Sequence, residues 1–315
     1  MKLSVLVPTY RRTKDLAHCL DALKQQTRPA DEVLLTVQAV DNETWQFLDT
    51  FDPRSLPLRT ITVAVPGQVA ALNTGLEAAK GDIVAITDDD AIPHSDWLER
   101  IEAHFIADEK VGGVGGRDWL YFGSTLQTGE RMTVGKIQWF GRVIGNHHLG
   151  MGEPREVDVL KGANMSYRMA AVEDLRFDNR LKGQGAQVHN DLNFSISVKH
   201  KGWNLIYDPA VAVDHYPGER FDEDVRYQFS SLAKVNAAYN EALTLLCYLP
   251  HHQKIIYLVW SVLVGTSTYP GVIQYLRLLF LNKPHTFALC KASMQGKAEA
   301  YQTWLKSRYL SIISE

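Results

Sequence analysis

The stretch AITDDDAIP sets three carboxylates, Asp88, Asp89 and Asp90, one residue after the apolar run Ile83 to Ile86. Neighbouring like charges repel, so the triplet destabilises a fold unless something positive sits beside it. A divalent cation is the simplest candidate. If the segment is extended, Asp88 and Asp90 point the same way, and one reaches a metal while the other shares the ion or takes a neighbouring hydroxyl. Oxygen ligands suit Mg²⁺ or Mn²⁺, which keep positions open for water and substrate phosphates. Such an ion offsets the repulsion and neutralises a diphosphate leaving group. The alternative is an acidic solvated turn that caps a helix beginning near Ser95.

Four further residues have matching chemistry. His215, in AVAVDHYPGER, follows an alternating apolar run and precedes a Pro-Gly turn. Mn²⁺ accepts imidazole, so His215 can complete such a site, or it can be a hydrogen-bonded surface histidine. Arg220, five residues on, offers phosphate a planar fork, or is solvated. Asp191, in VHNDLNF, is the candidate general base for removing a proton from an attacking hydroxyl; the other reading is a helix cap shared with His189 and Asn190. Asp41, in AVDNET, either accepts from a base or ribose or caps a helix beginning near Thr44.

These residues need elements to hold them. The first third alternates short β-branched runs with helical patterns, the signature of an α/β sheet. Strands are predicted at Leu3 to Val7, Val33 to Val37, Leu58 to Val65 and Ile83 to Thr87. One helix starts at about Thr13, a candidate N-cap, with Leu16, Cys19, Leu20 and Leu23 at helical spacing. Another carries Ala70, Ala71, Leu72, Leu76 and Ala79 and stops at Gly81. The clusters PTYRR, AVDNET, PGQVAALN and DDDAIP all fall at carboxyl ends of strands, where ligands gather in such sheets. From Gly112 to Asp158 the chain is rich in glycine and aromatics without a clean period, and reads as loops and short strands lining a site. Asp191 opens a helix running to about Lys201, Gly202 ends it, and two short strands follow. There is no internal repeat and no low-complexity tract.

The composition sets bounds. With 315 residues, 45% hydrophobic and 22% charged, the chain is a globular protein of one large or two modest domains. The 33 basic residues against 36 acidic ones argue against a general nucleic-acid binder. Cys19, Cys247 and Cys290 are odd in number and far apart, which argues against disulfides and points to the cytosol. The N-terminal apolar run is too short for a signal peptide. From Ile255 to Leu281 the only formal charge is Arg277. Gly265, Thr266, Ser267, Thr268 and Pro270 split that run, so it reads as a helical hairpin packed on the domain or lying at a membrane surface rather than as a span.

The motifs VLVPTYRR, AALNTGLEAAKGDIVAITDDDAIP, LKGANMSYR and HNDLNFSISVKHKGWNLIYDPAVAVDHY resemble, in order and spacing, those of glycosyltransferase family 2, an inverting family with a GT-A fold. The resemblance covers about Lys2 to Arg220. It implies a Rossmann-like mixed sheet flanked by helices over 1–225; the remainder, 226–315, reads from its own apolar pattern as a C-terminal helical region that is a candidate for membrane association. It implies a nucleotide-sugar donor, most often UDP-linked, near Pro8, Thr9, Tyr10, Arg12, Asp41, Asn73, Asp88, Asp89, Gly162, Asn164 and Arg220. Asp88, Asp90 and His215 would bind Mn²⁺ or Mg²⁺, and Asp191 would be the catalytic base. The acceptor would be a glycan or a lipid-linked molecule of polysaccharide or glycoconjugate synthesis, met in the cytoplasm or at the inner face of the membrane. Two positions depart from the family pattern: Asn190 replaces the usual glutamate before Asp191, and TVQAVDNET lacks paired aspartates. The processive QxxRW signature is absent after Asp191, so addition of a single sugar is expected.

Rival readings fit less well. A nucleotidyltransferase wants a glycine-rich, lysine-bearing loop after the first strand, and a dinucleotide oxidoreductase wants GxGxxG; PTYRRTKD is neither. A sugar-binding scaffold without turnover is opposed by the retention of Asp90 and Asp191.

Overall fold

The computed structural model describes residues 1–53, 56–226 and 228–313. The chain divides into two units, and neither is one stretch of sequence: unit 1 is 1–136, 145–177 and 194–219, and unit 2 is 137–144, 178–193 and 220–315.

Unit 1 opens with β1 (Leu3–Thr9), α1 (Thr13–Lys24), β2 (Glu32–Gln38), α2 (Asn42–Thr50), β3 (Leu58–Val63), α3 (Gln68–Ala78) and β4 (Ile83–Ile86). Every residue of β1 and β4 is buried. Continuous apolar runs of this kind mark parallel strands covered on both faces. Accordingly β3, β2, β1 and β4 lie side by side in parallel. Helix α1 turns Leu16, Cys19, Leu20 and Leu23 inward at the expected spacing. Thr13 is its first residue rather than its cap; Arg12 occupies the cap position, and its side chain is engaged elsewhere.

The chain continues through β5 (Ala91–Pro93), α4 (Trp97–Ala107), β6 (Val111–Phe122), β7 (Thr125–Leu126), β8 (Lys136–Ile137), β9 (Val143–Ile144), β10 (Arg155–Val157), β11 (Met165–Arg168), α5 (Met169–Val172), α6 (Asn190–His200) and β12 (Asn204–His215). The main sheet runs β10-β12-β6-β11-β4-β1-β2-β3, with β5 on β12 and β7 on β6. This is a mixed sheet, because β11 is antiparallel to both β4 and β6.

Two expectations are corrected here. The glycine run after Val111 is not a loop but the first half of β6, a twelve-residue strand. Its glycines are required by crowding: a Cβ on Gly116 would stand 1.7 Å from the Val211 carbonyl oxygen, so only a bare backbone fits between β6 and β12. The two short strands expected after Gly202 are one strand, β12, whose pairing with β6 breaks between Asp208 and Val213. Such an irregularity re-aims the residues beyond it.

Unit 2 is mostly α7 (Ser231–Tyr248), α8 (His251–Leu263), α9 (Val272–Phe280) and α10 (Thr286–Ile313). Helices α7 and α10 approach closely, since a Cβ on Gly296 would lie 2.4 Å from the Val235 carbonyl oxygen. The apolar run beginning at Ile255 is split as expected: α8 and α9 are joined by a turn that a Gly265–Pro270 bridge closes. No described helix is long and apolar enough to cross a membrane.

One acid of unit 2 is placed against its chemistry. Glu241 on α7 has a side chain only 14% exposed, 3.9 Å from His189 Nε2. Burial pushes its carboxyl up to about 7, with Lys297 pulling the other way. A carboxyl raised on folding favours the native state below its ordinary range and loses that contribution as pH rises through about 7. The shift from 4.5 corresponds to on the order of 3 kcal/mol. Burial holds the Lys297 ammonium down at about 8, so its own dependence falls above that pH. Glu241→Gln should therefore gain melting temperature relative to the parent as pH rises from 5 to 7.5. Scanning calorimetry of both proteins at intervals across that range checks this; a constant difference would remove Glu241 as the cause.

Candidate active site

Strand register assembles the acidic cluster. The end of β12 pairs antiparallel with β5, setting His215 opposite Ala91, and the Tyr216 N–H donates to the Asp90 carbonyl at 2.9 Å. That brings the histidine onto the DDD segment 125 positions earlier in the chain. The same half of β12 runs parallel to β6, with Val213 beside Asp118, so a fourth acid arrives from the other side. One ligand atom from each of Asp88, Asp90 and His215 lies within 4.8 Å of the others.

The imidazole of His215 is buried. Its Nε2 is 3.4 Å from Asp90 Oδ1 and its Nδ1 is 3.5 Å from Asp118 Oδ2, yet neither nitrogen has hydrogen-bonding geometry. Burial works against the imidazolium, but the carboxylates of Asp118 and Asp90 outweigh it and raise the ring's pKa to about 9. Burial likewise opposes ionisation of Asp90, and His215 and Arg12 overcome it, holding that carboxyl well below the ordinary range. Burial and the charge of Asp90 push Asp88 up. A buried imidazole without a hydrogen bond, facing two carboxylates, is a donor set that Mn²⁺ or Mg²⁺ would complete, with Mn²⁺ better suited to the nitrogen.

The triplet also has a positive partner within the chain. Arg12 reaches Asp89 Oδ1 at 2.5 Å through Nη2 and Asp90 Oδ2 at 2.7 Å through Nη1. The Thr9 hydroxyl donates to Asp89 Oδ2 at 2.7 Å, and the Gly218 N–H donates to Asp90 Oδ2 at 2.8 Å. Asp89 is thus held by the fold, while the half-buried Asp88 receives Gln68 Nε2 at 3.3 Å. The hydrogen bonds gathered on Asp89 Oδ2 and Asp90 Oδ2 offset part of the cost of burying these charges.

The other expected donor residues are placed as follows. Pro8 and Thr9 end β1 and are buried, and Tyr10 follows, half-buried, with the Arg11 guanidinium 5.0 Å from its ring. Asp41 is fully buried and caps α2: it accepts from the Thr44 N–H and hydroxyl and from the Arg11 N–H. Asn73 exchanges two hydrogen bonds with the Phe177 backbone. Asn164, also fully buried, receives the Trp97 indole N–H at 2.9 Å and donates to the Val211 carbonyl at 2.8 Å. Gly162 sits in the turn that the Lys161–Asn164 bridge closes. Asp118 carries a buried charge that the sequence reading missed; the available signal was the adjacent Arg117–Asp118 pair inside a glycine-rich and apolar run.

Two candidates belong to unit 2. Asp191 stands in the first turn of α6, and its Oδ1 accepts the Leu192 N–H at 2.8 Å. The turn before it is unusual: Gln187 and His189 have φ of 41° and 74°, and His189 Nε2 is 2.7 Å from the Tyr269 hydroxyl. Left-handed backbone at two non-glycine residues is held by such local contacts. Asn190 in place of an acid donates to the Ala186 and Gln187 carbonyls, which a carboxylate would not do. Arg220 is ion-paired with Asp224.

Comparison with known proteins identifies the family and the fold. The model for "Glycosyl transferase family 2" matches residues 4–176. Glycosyltransferase AglE of Haloferax volcanii is 28% identical over 230 residues, covering 72% of this chain and 70% of that protein. A glucosyl-dolichyl phosphate glucuronosyltransferase of the same organism is 25% identical over 225 residues, covering 68% and 69%. Among solved structures, the mannosyltransferase PcManGT of Pyrobaculum calidifontis, in complex with GDP-Man and Mn²⁺, superposes with a TM-score of 0.53 at 18% identity, covering 99% of this chain and 80% of that one. S. aureus TarS 1–349 in complex with UDP-GlcNAc superposes with a TM-score of 0.57 at 18% identity, covering 99% and 92%. The fold is the GT-A arrangement of these proteins. With more than half its length matched by the family model and its acidic strand-end cluster in place, the chain belongs to glycosyl transferase family 2 and is a glycosyltransferase.

Proposed function

We propose that the protein transfers one sugar from a nucleotide-diphosphate donor, first of all a UDP-sugar, to an acceptor hydroxyl with inversion at the anomeric carbon. The observation carrying this reading is the convergence of Asp88, Asp90 and the buried His215 beyond the strand ends. These three residues would hold Mn²⁺ or Mg²⁺, which when bound neutralises the donor diphosphate. Thr9 and Arg12 keep Asp89 and Asp90 in place for that task, and we assign Asp41 and Asn164 to bracing the pocket, since their polar atoms are engaged within the fold.

In the reaction the acceptor oxygen forms its bond to the anomeric carbon as the bond from that carbon to the diphosphate oxygen breaks. Asp191 receives the hydroxyl proton, and the nucleoside diphosphate leaves with the electron pair. Attack opposite the leaving group inverts the centre. The acceptor in this reading is a glycan or a lipid-linked molecule, and the enzyme works at the cytoplasmic face of a membrane as a peripheral protein. A relative whose name includes a dolichyl phosphate supports the lipid-linked form.

The test is a thermal-shift panel of UDP-, GDP- and dTDP-sugars with Mn²⁺ and with chelator. A ligand selective for the native state raises the melting point, with a stabilisation that grows as the logarithm of one plus its concentration over its Kd. One nucleotide class should stabilise the protein by several degrees with metal and much less with chelator. No shift from any donor at millimolar concentration would overturn the reading.

A further inference from the structure

Helices α8 and α9 are amphipathic in the reverse sense: their exposed stripes are the apolar ones. On α8, Ile255, Val259, Val262 and Leu263 face solvent while Tyr257 and Ser261 are buried. The spacing i, i+4, i+7, i+8 is one helical face. On α9 the exposed apolar residues are Val272, Ile273, Leu276, Leu279 and Phe280, and Leu278 alone is buried. Phe280 is 87% exposed and Leu276 58%. A globular protein rarely leaves a contiguous apolar face of this extent in water, so something covers it.

The charges on the same segment indicate what. From Ala242 to Ala298 the sequence has no aspartate or glutamate, but it has Lys254, Arg277, Lys283, Lys291 and Lys297. Arg277, Lys283 and Lys291 are exposed beside the apolar residues, together with His251, His252 and His285. An apolar face on a segment whose only formal charges are basic matches a bilayer with anionic headgroups, where the side chains enter the acyl boundary and the cations meet phosphate. A second copy of the same chain would bring cations against cations. The turn between the helices is tight: Gly265 has φ of 68° and a Cβ there would lie 2.4 Å from the Gly271 nitrogen, so the two helices are presented as a fixed hairpin.

We infer that the α8–α9 hairpin is an interfacial anchor that inserts its exposed apolar face into an anionic lipid surface. This deepens the peripheral placement proposed above and rests on that reading for its purpose, although the binding itself requires no donor.

The test is sedimentation of the full chain with phosphatidylglycerol-containing vesicles and with pure phosphatidylcholine vesicles. Binding should favour the anionic vesicles at least tenfold and weaken with salt. Leu276→Glu with Phe280→Glu should abolish it, while the melting temperature and the donor-induced shift stay unchanged because both side chains are exposed. Arg277→Gln and Lys283→Gln should each weaken binding about fivefold, the worth of one basic residue near a charged surface. Absence of binding to either vesicle overturns the inference, as does equal binding to both. A parent protein that is dimeric by light scattering, and that the double variant makes monomeric, overturns it in favour of a second copy. A failed donor shift beside intact vesicle binding would instead discard the proposed metal-dependent use of a nucleotide-sugar donor and keep the anchor.

Discussion

Asp191→Asn lowers the turnover number by a factor on the order of 10³ while leaving donor affinity within about twofold. The substitution keeps size and the oxygen that accepts the Leu192 N–H, so α6 starts as before. What it removes is the basic oxygen pair that takes the hydroxyl proton in the proposed mechanism, and a positioned general base contributes about 10²–10⁴ in rate. The split is what matters: donor binding by calorimetry near the parent value, with product formation by chromatography nearly lost. Turnover within tenfold of the parent would take Asp191 out of the reaction.

Asp90→Ala removes the metal dependence of donor binding, and product formation falls about as far. Asp90 supplies one atom of the three-residue cluster and also carries half of the Arg12 pairing. Removing one member of a buried pair leaves the other uncompensated, which destabilises a protein by about 3–5 kcal/mol. A second variant is therefore needed. Asp90→Asn retains the shape and an acceptor for Arg12 but not the charge, so it separates loss of metal from loss of fold. Calorimetric donor affinity that is the same with Mn²⁺ and with chelator in the parent protein would refute the role given to Asp90.

Much of this arrangement was legible in the residues. The strands β1, β2 and β4 read directly from their apolar runs because both faces are covered, and the carboxyl-end clusters followed from βα alternation. The split of the C-terminal apolar run into a hairpin was legible from Gly265 and Pro270. Strand β6 was not, because glycine in a sequence signals loops, and only the neighbouring Val211 backbone reveals why side chains are excluded. The pairing of Arg12 with Asp89 spans 77 positions, a distance at which sequence spacing carries no information. The triplet was therefore expected to depend on a cation, whereas the guanidinium already offsets part of its repulsion. Asp41 shows the reverse case: its capping role, one of two readings, was expected for a helix beginning near Thr44, and the helix it caps begins at Asn42.

The order of the sheet also bears on how the chain is made. Strand β6 lies between β11 and β12, which start at Met165 and Asn204, so on the ribosome it emerges well before either neighbour exists. A long unpaired edge is ordinarily a template for association with other chains. Here the first half of that edge is mainly glycine, with little apolar surface for a neighbouring nascent chain to capture. The bareness that lets β12 close against β6 in the finished protein thus also makes the interval before closure safer.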